Sequence, residues 1–266
     1  MSRLFATLST NQHALDFSQF GITRWQRAGI TSKDQGPFQN IDVPHIDPYR
    51  LIIGVDRALD NGLLWRFAPP QHDGAMSPQL LYRTTSDSLL NSVLTIVPSG
   101  LISPFRDVDI VARMFTPHAR DKSMLHVYQG WLTARIPSVR QFDFYMAAIY
   151  RNNADAADVV SIWKVAGGIR TLKIAAAALG DRINWTKPWN CRFNLSGNFL
   201  KAKWWTYDDI EPETWDLLGT DSGLNAPGMI GFAATVHGRL ADNIWGLDWY
   251  AWSNDPEIPA PLYPND

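Results

Sequence analysis

Residues 189–221, WNCRFNLSGNFLKAKWWTYDDIEPETWDLLGTD, decide the fold. The Gly197-Asn198 pair, flanked on both sides by alternating apolar and polar residues, predicts a two-residue hairpin turn of the Gly-first kind. That turn opposes Ser196 to Phe199, Leu195 to Leu200, Asn194 to Lys201, Phe193 to Ala202, Arg192 to Lys203 and Cys191 to Trp204. Successive strand side chains point to opposite faces. Cys191, Phe193, Leu195, Leu200, Ala202 and Trp204 therefore share one face, the one to be buried. The other face carries Arg192, Asn194, Lys201, Lys203 and Trp205. A one-residue slip would set apolar against polar residues, so turn and pattern specify the same register. A third strand follows before Asp221.

Outward from the hairpin the alternation continues. Val108 to Phe115, Met124 to Ile136, Phe142 to Tyr150, Val159 to Val165, Met229 to Val236 and Ile244 to Trp252 are strand candidates. Thr171 to Ala178 is alanine-rich, but it is short and lies between strands, so strand is expected there too. Upstream, Tyr49 to Val55 and Leu63 to Phe67 flank an Asn61-Gly62 turn. Residues 13–30 give two strands broken at Gly21, and residues 1–12 form a loose polar arm. Residues 68–106 are cut by Pro69, Pro70, Pro78, Pro98 and Pro104 around a segment, Ser86 to Val97, of helix or strand, and are expected to be an inserted loop. No helical periodicity is sustained. The expectation is an all-β, antiparallel sandwich forming one domain over 1–252, with the insertion inside 31–106 and a tail over 253–266. Four prolines in that tail deny it ladder donors and favour an extended arm that docks on a neighbouring subunit or frays.

The run Phe193 to Trp204, then Glu211-Pro212 and Trp215, then Gly228-Met229-Ile230-Gly231-Phe232, resembles the concanavalin A-like lectin/glucanase superfamily, in particular its laminin G-like jelly rolls. Leu15 to Phe20 with Trp25, and Ile244 to Trp252, look like the first and last strands that such sandwiches pair. The likeness covers most of the chain as a pattern of strands and turns. It implies a jelly roll and points to a bacteriophage virion protein.

Composition narrows the partners. A net charge of -2 with no basic run argues against nucleic acid and anionic membranes. No apolar stretch is long enough for membrane insertion, and the first residues, MSRLFATLSTNQHALDF, lack a signal peptide's apolar region. Synthesis in a host cytoplasm is the expectation. Charged residues make up 19% of the chain, against about 25% in a typical soluble domain, which suits a homo-oligomer packed among other virion proteins. Cys191, the sole cysteine, faces inward and is expected to be an inert core thiol.

Chemistry is sparse. The superfamily's enzymes set a nucleophile and an acid on one strand, about 5–5.5 Å apart for retention or about 6.5–9.5 Å for inversion. Here the three glutamates are Glu211, Glu213 and Glu257, and the first two straddle Pro212 in a turn. Asp208, Asp209, Asp216 and Asp221 cluster in sequence, and the resemblance admits calcium there. They form no ordered loop of alternating ligands, so they are expected to be turn residues of a cofactor-free protein. The six histidines, His13, His45, His72, His118, His126 and His237, have no two-histidine ligand spacing. Aromatics remain, with 12 Trp, 12 Phe and 8 Tyr. Sugars lay their apolar faces on flat rings beside amides and charges. Trp205 with Lys203, Lys201, Arg192 and Asn194 is thus the candidate carbohydrate site, whereas Trp204, Trp245, Trp249 and Trp252 are expected in the core. The expected function is a non-enzymatic virion structural or attachment protein, of capsid, fibre or tail, with a host-surface or environmental glycan as candidate ligand. The alternative is a glycoside hydrolase or lyase of the same fold using aspartates.

Overall fold

The computed structural model describes residues 5–7, 11–15, 26–27, 38–40, 52–55, 63–71, 79–84, 91–96, 104–116, 128–137, 143–151, 158–166, 169–180, 182–236 and 244–263. Among them are eighteen strands and no helix. In chain order these are β1 (Phe5–Thr7), β2 (Gln12–Leu15), β3 (Gln26–Arg27), β4 (Phe38–Asn40), β5 (Ile52–Val55), β6 (Leu63–Ala68), β7 (Gln79–Thr84), β8 (Asn91–Ile96) and β9 (Val108–Phe115). They continue with β10 (Tyr128–Ile136), β11 (Phe144–Arg151), β12 (Asp158–Ala166), β13 (Ile169–Gly180), β14 (Trp189–Ser196), β15 (Phe199–Thr206), β16 (Leu217–Thr220), β17 (Met229–Val236) and β18 (Ile244–Ser253).

Two antiparallel sheets result, and the chain is a jelly-roll β-sandwich. The first sheet runs β16-β15-β14-β9-β18-β7-β6-β3, with β2 added beside β18 and β1 beside β2. The second runs β13-β12-β11-β10-β17-β8-β5-β4. The hairpin of β14 and β15 has the register that its turn demands, from Ser196 opposite Phe199 to Cys191 opposite Trp204 and two pairs beyond. Gly197 takes φ 56° and Asn198 stays out of the positive region, as a Gly-first turn requires. All six residues assigned to the inner face lie in the main core, where they meet β10, β11, β12 and β17 of the facing sheet. Burial pushes the Cys191 thiol well above its ordinary range, as suits an inert core residue.

β18 ties the two ends of the chain together. Along one edge it pairs with β9, and along the other first with β7 and then, through Ala251 opposite Ala14, with β2. A bulge between Leu247 and Trp249 shifts its phase. Trp245 and Leu247 point into the core and so do Tyr250 and Trp252, while Trp249 and Ala251 face outward under other cover.

Two upstream expectations change. Part of the 1–12 arm is β1, paired with β2, because Phe5 to Thr7 find ladder partners in Leu15 to His13. Within the stretch expected as an insertion, β7 pairs with β6 and β18, and β8 pairs with β5 and β17, so it supplies a ladder member to each sheet. The strands' short length, six residues each, and the prolines around them hide this in the sequence. The expected strand at 16–20, Trp25, the Asn61-Gly62 turn and the last tail residues lie outside the described residues.

One strained residue locks the end of the sandwich nearest the hairpin turn. Arg135 has φ 59° where β10 shifts register against β17. Its buried guanidinium donates to the carbonyls of Arg106 (2.7 Å), Leu224 (2.8 Å) and Gly197 (2.5 Å), so one side chain holds three separate segments. Gly228 passes so close that a Cβ there would lie 2.5 Å from the Arg135 carbonyl carbon.

Trp204 is fully buried in the main core. Replacing it with alanine is expected to lower stability by about 3–5 kcal/mol in urea melts through the cavity left behind.

Candidate functional site

The five residues singled out in the sequence come together on the outer face of the first sheet. Arg192 stands opposite Lys203 and Asn194 opposite Lys201, with Trp205 one step further along β15. β9 extends the same face, placing Asp109 opposite Asn194 and Val111 opposite Arg192. The face is closed. Trp205 is 2% exposed, Arg192 3%, Asn194 2% and Lys203 7%, and only Lys201 is half-buried.

The cover is the chain's own C-terminal tail together with the loop after β15. Trp205 packs with Val111, Trp249 and Ala251 of the sheet, Ala14 of β2, and Ala260 and Tyr263 of the tail. Tail carbonyls are gripped at several points. Asn194 donates to Pro256 (2.9 Å), Gln12 to Pro259 (2.7 Å), Arg192 to Ala260 (3.1 Å) and the Trp249 indole to Pro261 (3.0 Å). Arg113 lies over the Tyr263 ring at 4.0 Å and the Tyr207 ring at 4.6 Å. The tail expected to reach a neighbouring subunit thus docks in cis through residue 263. A proline-stiffened segment with free carbonyls matches a face rich in donors.

At the centre of this face sits a buried charge network. Asp109 accepts from Arg192, from the Ala260 amide (2.8 Å) and from Asn194 (3.0 Å). Arg192 also pairs with Glu211 at 2.6 Å, and Glu211 pairs with Lys203 at 2.8 Å. The Lys203 ammonium donates to the Pro212 carbonyl (2.6 Å) and lies 4.8 Å from the Trp215 ring centre, with Lys201 at 5.0 Å from the same ring. Burial pushes the Asp109 carboxyl up, and Arg192, Ala260 and Asn194 pull it back. For Arg192 burial opposes the charge, but Asp109 and Glu211 outweigh it and hold the guanidinium protonated. Glu211 is thereby a bridge between two cations, not a solvated turn residue. While the tail is docked, Trp205 offers no ring face to a sugar, and its role is packing. β9 could have announced Asp109, because its polar residues Asp109 and Arg113 fall on the phase opposite its core residues.

The remaining acidic residues do not converge. Asp208 pairs with Lys187, Asp216 with Arg182 (2.5 Å) and the Trp204 amide (2.8 Å), and Asp221 with Lys164 (3.4 Å) and the Tyr145 hydroxyl. Each of the three has its own cation, Asp209 is exposed, and no group of three metal-ligating side chains forms among the described residues. This donor set does not fit calcium. Glu213 and Glu257 are exposed. Of the histidines only His13 is described, stacked on Trp252 at 5.4 Å; the other five lie outside the described residues.

The second sheet's outer face is different. Ile136, Phe144, Met146, Ala148, Val165 and Met229 form a cluster of their own there, with Trp131 and Trp163 half-buried against it. The ladder sets Trp131 beside Ala148 and Ala148 beside Ser161, and in the next row Thr133 beside Met146 and Met146 beside Trp163. The two indoles therefore stand diagonally across β10, β11 and β12, roughly 10 Å apart across the strands. The Trp163 indole donates to Ser161 (2.8 Å), which fixes its plane, and the Lys173 ammonium lies 5.6 Å from its ring. The Thr133 hydroxyl, fully buried in the second row, has no hydrogen-bond partner among the described residues. These residues were missed in the sequence. The available signal was a tryptophan on the phase opposite the core positions Leu132 and Ile162.

No family model and no curated protein matches the chain. Three solved structures illustrate what its fold is similar to. The VIP36 exoplasmic/lumenal domain in a Ca2+/Man3GlcNAc-bound form shares 15% identity over 70% of this chain and 81% of that one, with a TM-score of 0.41. The CBM2 module of the evolved Dit of Lactobacillus casei BL23 phage J-1 shares 14% over 69% and 78%, with a TM-score of 0.46. A legume lectin-like domain from Entamoeba histolytica shares 11% over 66% and 84%, again at 0.46. Likenesses at this level concern the general sandwich and carry nothing about ligand or metal.

Asp109→Ala strands a buried guanidinium and is expected to cost about 3–5 kcal/mol in urea melts. Deleting residues 254–266 should also lower stability and make the indole fluorescence of Trp205 and Trp249 accessible to acrylamide quenching, both being buried in the intact chain.

Proposed function

We propose that the protein is a non-catalytic glycan-binding jelly roll, displayed on a bacteriophage particle, whose sugar-binding face is the outer face of the second sheet around Trp131 and Trp163. The observation that carries the reading is the pair of half-buried indoles, Trp131 and Trp163, standing diagonally on one sheet face. Flat rings take the apolar faces of sugars. Ser161 and Lys173 add polar groups at the Trp163 end. The ligand class is a surface glycan of a host or its environment.

The non-catalytic part of the proposal is supported by the glutamates. Glu211 is held in ion pairs with Arg192 and Lys203, so its carboxylate is committed to bridging two strand cations and is not presented to a ligand. The virion part, as a capsid, fibre or tail component in contact with other virion proteins, is supported by the sequence resemblance over residues 193–232 and by a thinly charged composition. Electron microscopy of the source particle with an antibody to the protein tests it.

A glycan array tests the binding reading. Binding should appear for the wild type and fall by about tenfold or more in Trp131→Ala and Trp163→Ala. Trp205→Ala, matched for residual fold, should bind as the wild type does. Reducing-sugar release from glucans is expected to stay at background. Loss of binding in Trp205→Ala with retention in both other variants would move the site back to the first sheet.

A further inference from the structure

A groove of about 510 Å³ opens on the first sheet, bounded by Ser196, Phe199, Lys201, Leu218, Thr220 and Glu257. It lies where the closed outer face runs out. The ladder puts Thr220 opposite Phe199 and Leu218 opposite Lys201, so Phe199 and Leu218 are diagonal neighbours. They are 62% and 65% exposed, and Ile258, following Glu257, is 36% exposed. β16 is also the last strand of its sheet, only four residues long. Adjacent large side chains left open beside a short edge strand mark an interaction surface.

The occupant follows from chemistry. Leu218 and Ile258 are aliphatic and branched and stand beside the Phe199 ring, a mixed apolar surface that suits side-chain packing. The groove holds one cation and one anion with no internal counter-ion. Lys201 rests on the Trp215 ring, and among the described residues it pairs with no carboxylate and the Glu257 side chain pairs with no cation, although both border the same opening. A surface carrying one free charge of each sign around an apolar centre is complementary to itself under two-fold rotation. We propose that this groove is the contact between two copies of this chain, with Leu218 and Phe199 packed across a two-fold axis and each Lys201 facing the partner's Glu257. The tail then has a second task, since docking in cis positions Glu257 on the groove wall.

Sedimentation velocity over a concentration series tests this with the full chain. The wild type should shift reversibly from monomer to dimer. Leu218→Glu should abolish the shift, and Lys201→Glu or Glu257→Lys alone should weaken the dimer about tenfold or more. The double reversal Lys201→Glu with Glu257→Lys should restore it to within a few-fold. Glu257 is exposed, and a urea melt of Glu257→Lys that matches the wild type separates a lost contact from misfolding. A wild type that stays monomeric to its solubility limit overturns the proposal. So does a dimer that survives Leu218→Glu, or a double reversal no tighter than the single ones.

Discussion

The pairing of Arg192 with Asp109 beneath the tail is the interaction on which the outer architecture depends. Removing both ions from water costs several kcal/mol each, which is tolerable only because their remaining hydrogen-bonding capacity is met by Glu211, Asn194, the Ala260 amide and the Ala260 carbonyl. Those partners come from β14, the loop after β15, and the tail. The network therefore specifies, along with local stability, which loop and which terminal segment cover the sheet. An apolar patch of the same size would have accepted many covers, while this arrangement of donors accepts a segment presenting carbonyls at the right places.

The two sheets consequently face solvent in unlike ways. The outer face of the first is covered by its own chain over Trp205, while Phe199 and Leu218 further along it are exposed. The outer face of the second keeps two indoles half-buried against an apolar cluster. The proposed ligand and partner surfaces thus lie on opposite sides of one core, so occupancy of one need not disturb the other.

Much of the fold was legible in the sequence because it is written in local alternation. The Gly197 turn and the period-two pattern named every partner between Cys191 and Trp204, and Val108 to Phe115 and Met229 to Val236 appear at the bounds expected. β7 and β8 were hidden because six-residue strands between prolines carry too little alternation to declare themselves. The site was less legible for a different reason. Alternation tells which face a side chain is on, but what covers that face is a tertiary matter. Trp205 and Arg192 were assigned to the outer side correctly, yet Asp109, 83 residues away, and the tail decide that they are buried. Trp131 and Trp163 were overlooked because the faces of their strands were never sorted. The bulge in β18 has the same lesson, since Trp245 and Trp249 differ by an even number of residues and still point to opposite faces.

Cys191 sits in the middle of the central hairpin, between Trp204 on one neighbouring strand and Ala112 on the other, and is 1% exposed. With a single thiol in the chain, every covalent labelling event in solution reports an opening of the core around Cys191. The molecule thus carries its own clock for cooperative unfolding. The labelling rate, set against thiol concentration, separates motions that lift only the tail from those that part β14 from β9 and β15, with no probe having to be engineered into the core.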